Sequence, residues 1–83
     1  MKTTKWNSAG DVIRYLRSNN HTSQECLSID CDIAVSTLER IENGKTNPRL
    51  DNFIIIIEQL GYRLEIVSKQ KDEIRCIIEH EKL

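Results

Sequence analysis

Ser36, Glu39 and Arg40 lie within one short stretch, residues 34–42, and at helical spacing they share the side opposite Leu38 and Ile41. Their chemistry is hydrogen bonding. The Arg40 guanidinium can present two parallel donors to a pair of acceptors, Ser36 can donate or accept, and an ionised Glu39 only accepts. Other chemistry is hard to assemble from this chain. Cys26, Cys31 and Cys76 have no metal-ligand spacing, and an odd number of cysteines on predicted helices reads as reduced, buried, small hydrophobes. A site built from Cys26, Cys31 and His21 is the one metal arrangement left open. His21 and His80 have no evident partners, and there is neither a Gly-rich phosphate loop nor a nucleophile–base constellation. The expectation is a protein that is no enzyme, with no cofactor and no metal.

The elements that would carry the hydrogen-bonding face are contained in residues 22–44, TSQECLSIDCDIAVSTLERIENG. Thr22 or Ser23 can cap a first short helix, and Glu25, three positions after Thr22, allows a capping box. Leu27 and Cys31 sit i, i+4 on its inner face, and Ile33 is the next residue to enter the core. Asp30, Cys31 and Asp32 are poor helix interior and suit a turn. A second helix over about 34–42 buries Leu38 and Ile41 and turns Val35, Ser36, Glu39 and Arg40 outward. Asn43-Gly44 ends it, because both residues accept the left-handed conformation.

At these residues the chain resembles a known family. SQ-x-x-L, nine residues, then ST-x-x-R-I-E-N-G is the pattern of Cro/repressor-like (XRE-type) helix-turn-helix DNA-binding domains, and residues 45–50 continue the register as a G-K-x-x-P-x-L loop. The likeness covers about residues 12–61. Two positions depart from it: Ser28 stands for a small apolar residue where the helices cross, and Asp32 for the glycine of the turn. Serine is still small and aspartate tolerates a positive φ, so the fold is expected to survive with a less stable turn. The resemblance implies a mainly α, lambda-repressor-like domain of four helices plus a short C-terminal β-strand. It also implies that the second motif helix enters the major groove of double-stranded DNA. On that reading Ala34 and Val35 touch thymine methyl groups, Ser36 discriminates little, and Glu39 accepts from cytosine N4 or repels phosphate. Arg40 is the best single candidate for specificity, at guanine O6 and N7. Ser23 and Gln24, with Thr22, suit a phosphate, and Gln24 also suits bracing a recognition-helix side chain. Thr37, Asn43, Lys45 and Arg49 carry over from the family pattern as backbone contacts. The family also pairs an arginine at the position of Arg17 with the glutamate ending the recognition helix, here Glu42. A planar guanidinium can hold that carboxylate with two hydrogen bonds.

Before this motif, residues 1–7 are polar and expected to fray, apart from Trp6, which packs on the first helix or lies near DNA. Ser8 is a candidate cap for a helix running to about Ser18, with Val12, Ile13 and Leu16 as its apolar face. After Pro48 comes a fourth helix over 50–60, ended by Gly61, with Leu50, Phe53, Ile57 and Leu60 as one core stripe. Ile54, Ile55 and Ile56 exceed that stripe. They imply a second buried face, covered by another copy of the chain or by the C-terminal segment. Residues 62–68, YRLEIVS, alternate as a strand, with Tyr62, Leu64 and Ile66 on one side. A strand needs a partner, in a later segment or in a second protomer. Residues 73–83 fit a helix through Ile74, Ile77 and Ile78, or a strand through Ile74, Cys76 and Ile78; the surrounding helix formers favour the helix. The expected division is a DNA-binding domain over residues 1–61 and a strand and tail over 62–83 for dimerisation, with Ile54, Ile55, Tyr62, Leu64 and Ile66 at the interface.

A chain of 83 residues buries only a modest core, so a homodimer is an expected source of stability. The formal charge is −1, but it is uneven: residues 1–49 hold seven Lys/Arg against six Asp/Glu, and residues 50–83 hold five against seven. The amino-terminal part is therefore the DNA side, and affinity must lean on placed contacts and on two copies. No apolar run reaches eighteen residues and no signal peptide opens the chain, which implies no membrane and a cytoplasmic protein. The function expected is a dimeric, sequence-specific transcriptional regulator, a repressor, reading half-sites roughly 34 Å apart. The alternative is an antitoxin. Four helices followed at once by a strand resemble the layout of HipB-like antitoxins, whose dimer represses its own operon and binds a HipA-type kinase toxin. That likeness is one of layout, with no diagnostic motif.

Overall fold

The computed structural model describes residues 6–69 and the backbone of residues 75–78. Among them run four helices, α1 (Ala9–Asn19), α2 (Gln24–Cys31), α3 (Val35–Glu42) and α4 (Leu50–Gln59), then two strands, β1 (Leu64–Val67) and β2 (Arg75–Ile78). The fraying expected of residues 1–5, the side chains of Ile74 and Cys76, and His80 lie outside the described residues.

Side-chain caps start the first two helices. The Ser8 hydroxyl accepts from the Asp11 amide at 3.2 Å, and the Ser23 hydroxyl accepts from the Cys26 amide at 3.0 Å. Thr22 does not cap α2, so the Thr22–Glu25 capping box does not form. The Thr22 amide donates back to the Arg17 carbonyl, which makes Thr22 the last residue of the α1 ending. α3 and α4 begin at Ala34 and Arg49 without a side-chain cap.

All four helices end alike. Two amides past each last turn fold back onto its carbonyls: His21 and Thr22 for α1, Asp32 and Ile33 for α2, Gly44 and Lys45 for α3, Gly61 and Tyr62 for α4, at 2.9–3.2 Å. This ending needs a residue in the left-handed conformation. Gly44 (φ 76°) and Gly61 (φ 91°) supply it without strain, whereas His21 (φ 53°) and Asp32 (φ 57°) supply it with a Cβ in the way. Tyr62, expected in the strand, is instead held by the α4 ending, which is why β1 begins two residues later at Leu64.

The helices meet around Ile13, Leu27, Leu38, Ile41, Ile56 and Leu60, with Leu16, Cys31, Ile33 and Phe53 packed against them. Gly10 permits the closest approach. A Cβ there would overlap the Ile41 carbonyl oxygen and lie 3.2 Å from the Glu42 Cα, so the backbones of α1 and α3 touch. Ser28, at the α2 crossing, is 4% exposed and satisfies its hydroxyl by donating to the Glu25 carbonyl at 2.7 Å. α4 differs from its expected stripe. Leu50 is 51% exposed because it is the first residue of the helix and sits beyond the core, while Ile54, Ile56 and Ile57 are all buried. The apolar arc of α4 is thus wide and largely covered within one chain. Ile54 is 0% exposed and offers no surface to a second copy, which corrects its assignment to a dimer interface; Ile55 is half-buried.

β1 pairs antiparallel with β2 in the register Leu64↔Ile78, Glu65↔Ile77, Ile66↔Cys76 and Val67↔Arg75. Residues 75–78 are therefore strand, against the helical leaning of their neighbours. Local propensity loses to the backbone donors and acceptors of β1, which need a ladder partner.

Two substitutions test these packing and turn arguments by urea or thermal melting. Gly10→Ala should destabilise by about 1–3 kcal/mol through overpacking against α3. Asp32→Gly should stabilise by about 0.5–1 kcal/mol by removing the left-handed Cβ penalty, raising Tm by a few degrees.

Candidate nucleic-acid interface

Glu42, the last residue of α3, is buried at 3% exposure and holds the interface together. Arg17 from α1 approaches it with both prongs, Nε to Oε2 at 2.8 Å and Nη2 to Oε1 at 2.9 Å. The remaining terminal nitrogen of Arg17, Nη1, donates to the Thr22 carbonyl at 3.0 Å, between α1 and α2. Gln24, in the first turn of α2, donates from Nε2 to Glu42 Oε1 at 3.1 Å. A carboxylate only accepts, so the amide must present its nitrogen to Glu42, leaving its oxygen and one N–H for another partner. Hydrogen bonding to Glu42 holds the Arg17 guanidinium above its ordinary pKa, against the opposing effect of burial. The network ties the end of α1, the start of α2 and the end of α3 to one another.

With Leu38, Ile41 and Glu42 turned inward, α3 leaves Ser36, Thr37, Glu39 and Arg40 exposed, with Ala34 exposed at its start and Val35 half-buried. Ser36 and Arg40, i and i+4, run along the outermost line of the helix, flanked by Thr37 on one side and Glu39 on the other. Ser23 is exposed and Gln24 half-buried at the start of α2, while Asn43, Lys45 and Arg49 are exposed around the loop after α3. Arg49 lies 3.3 Å from Asp51. Arg14, Arg17 and Arg63 also have carboxylate partners, with Asp11, Glu42 and Glu65. Among the described residues Arg40 is the one guanidinium without such a partner.

Beside Arg40 is a cavity of about 230 Å³ lined by Thr37, Arg40 and Thr46. Sequence reasoning did not single out Thr46. Its type carries no signal, and it reaches the cavity because the Lys45 amide, bonded to the Arg40 carbonyl at 2.9 Å, folds the loop back along α3. Trp6 packs on α1, its ring centroid 4.9 Å from that of Tyr15 at 60°. Cys26 is exposed, in contrast to its expected burial, because it lies on the outer side of α2. Cys31 is half-buried, and burial together with Asp30 pushes its thiol up to about 11, so it is neutral at ordinary pH. Among the described residues no three His, Cys, Asp or Glu side chains gather to hold a metal ion.

A buried bidentate pair fixing two short helices, one with a polar exposed crest, is the frame of a helix-turn-helix. A helix-turn-helix family model, HTH_3, matches residues 13–67. The chain belongs to the XRE-type helix-turn-helix family. That family is one of DNA-binding transcription regulators and not of enzymes. No curated protein and no solved structure matches the chain. No helix among the described residues is long and apolar enough to cross a membrane.

Within this XRE-type frame, Arg17→Ala leaves a carboxylate buried with only Gln24 to answer it. The expected loss is about 3–5 kcal/mol, read as a shifted urea midpoint, with Arg17→Lys falling between it and the wild type because it keeps the charge and loses the fork.

Proposed function

We propose that this protein is a dimeric, sequence-specific repressor that grips two half-sites of an operator through α3. The observation that carries this reading is the exposure of the polar crest of α3 while its other face is locked by Glu42 and the core. In a helix-turn-helix that crest faces base edges. Ala34 and Val35 make apolar contact with thymine methyl groups, and Ser36 and Glu39 hydrogen-bond within the groove. Ser23, Gln24, Thr37, Asn43, Lys45 and Arg49 hold the phosphate ridges on either side, and Arg40 presents its paired donors to guanine O6 and N7. Residues 1–61 form the DNA-binding part and residues 62–83 the dimerisation part.

The dimer reading is supported by β1. A two-stranded sheet leaves outward-facing backbone groups on its outer edges, and Tyr62, Ile66 and Val67 are 42%, 53% and 46% exposed. Tyr62, Leu64 and Ile66, with Ile55 of α4, form the contact with the second copy. Occupying a promoter is enough to block transcription, so the dimer represses by binding. A second reading is favoured by the strand that follows α4 directly. In it the same dimer is an antitoxin that binds a HipA-type kinase toxin and represses its own operon.

Selection of bound duplexes from a random pool, with solution mass measured alongside, tests the proposal. The expected result is a dimer and an enriched palindrome whose half-sites are roughly one turn, about 34 Å, apart. Ile66→Glu should give monomers and weaken retention. A wild-type monomer that retains no duplex at low salt would sink the proposal, and co-purification of a kinase would move the antitoxin reading ahead.

A further inference from the structure

We infer that residues 29–37, the turn between α2 and α3 together with the head of α3, open as one local unit in the free protein and close on a duplex whose base edges fit them. The inference rests on the DNA-binding reading above and concerns how that surface discriminates among sequences.

The segment is lightly held. Ser28 before it is 4% exposed and Leu38 after it is 0% exposed, yet no residue between them is buried. Its packing against the core comes from Cys31 and Ile33, both half-buried. Among the described residues, no side chain from Ile29 to Thr37 makes a hydrogen bond or an ion pair. The joint between α1 and α2 differs, because the side chains of Arg17, Asn20, Thr22 and Gln24 each hydrogen-bond across it or within it. The α2–α3 turn is closed by backbone: the Asp32 amide donates to the Ile29 carbonyl at 3.1 Å and the Ile33 amide to the Ser28 carbonyl at 3.0 Å.

Three features oppose that closure. Asp32 holds a left-handed φ of 57° with a Cβ in place. Asp30 and Asp32 put negative charge at the negative end of the α2 dipole, where no basic residue offsets it. The head of α3 starts at Ala34 without a side-chain cap and has no acidic residue in its first turn. Few buried contacts and solvent-exposed backbone bonds mark a unit that opens by itself. A duplex supplies what is missing. Its acceptors answer the positive head of α3, and thymine methyl groups give Ala34 and Val35 apolar contact. A mismatched sequence offers fewer of these gains, while Ser23, Lys45 and Arg49, outside the segment, can still hold phosphates. Part of the binding energy of the matching sequence then drives closure, and closure adds to discrimination.

Amide hydrogen exchange tests this on the free protein, with the selected duplex, and with an unselected duplex of equal length, both saturating at low salt. In the free protein the Asp32 and Ile33 amides should exchange roughly ten-fold or more faster than those of Ile56 and Ile57, by an opening that low urea does not accelerate. Asp32→Gly should slow them about two- to five-fold. The selected duplex should slow the Asp32, Ile33 and Thr37 amides roughly ten-fold or more beyond the unselected one. Exchange of these amides through global unfolding alone, with the rate and urea dependence of Ile56, would overturn the inference. So would equal protection by the two duplexes, or wild-type exchange rates in Asp32→Gly. Each of those results leaves DNA binding intact. Retention of neither duplex would remove the DNA-binding reading and this inference with it.

Discussion

One buried carboxylate organises this domain. Glu42 ends α3, yet its partners belong to α1 and α2, and it accepts three hydrogen bonds from Arg17 and Gln24. An ion pair taken out of water gains little net stability compared with apolar packing, because desolvation of both charges opposes their attraction. What such a pair does enforce is geometry. A carboxylate buried to this degree tolerates no arrangement in which its donors are elsewhere, so the angle between α2 and α3 is held where Arg17 and Gln24 can both reach. The backbone contact at Gly10 acts in the same place from the other side, since α1 can deliver Arg17 only if it lies against the end of α3.

The outward face follows from the inward one. Leu38, Ile41 and Glu42 fix the rotation of α3, so Ser36 and Arg40 must form its crest. Gln24 belongs to both sides of this division: its nitrogen is committed to Glu42, and its oxygen is aimed by that commitment. The same residue that steadies the frame therefore carries a preoriented group on the surface, a coupling of fold to recognition that needs no moving part.

Much of this was legible along the chain and some of it was not, for identifiable reasons. Local signals were reliable: Ser8 as a cap, Asn43-Gly44 as a stop, Leu38 and Ile41 at helical spacing. The turn at Asp32 could be anticipated because few residues other than glycine accept its conformation. Thr22 was ambiguous because a hydroxyl fits a cap equally well one residue either way, and only the ending of α1 decides. Leu50 and Ile54 were misplaced because a stripe read by period ignores where the neighbouring helices stop and how wide an arc they cover. β2 was hidden by helix formers that yield to a ladder partner. Arg17 and Glu42 lie 25 positions apart, so no local pattern joins them, and their pairing was suggested by family resemblance alone. Gly10 and Thr46 carry no sequence signal, since a close backbone approach and a loop folded back on a helix exist only in three dimensions.

The way α3 finishes has an evolutionary consequence. The amides of Gly44 and Lys45 are turned inward onto carbonyls of the same helix, so neither of these two donors is left to greet a ligand. Any hydrogen bond that residue 45 donates to a ligand must come from its side chain, which can mutate without disturbing the bend that carries it. Strength of attachment can therefore drift by single codons at residue 45, up or down, over a bend that does not change.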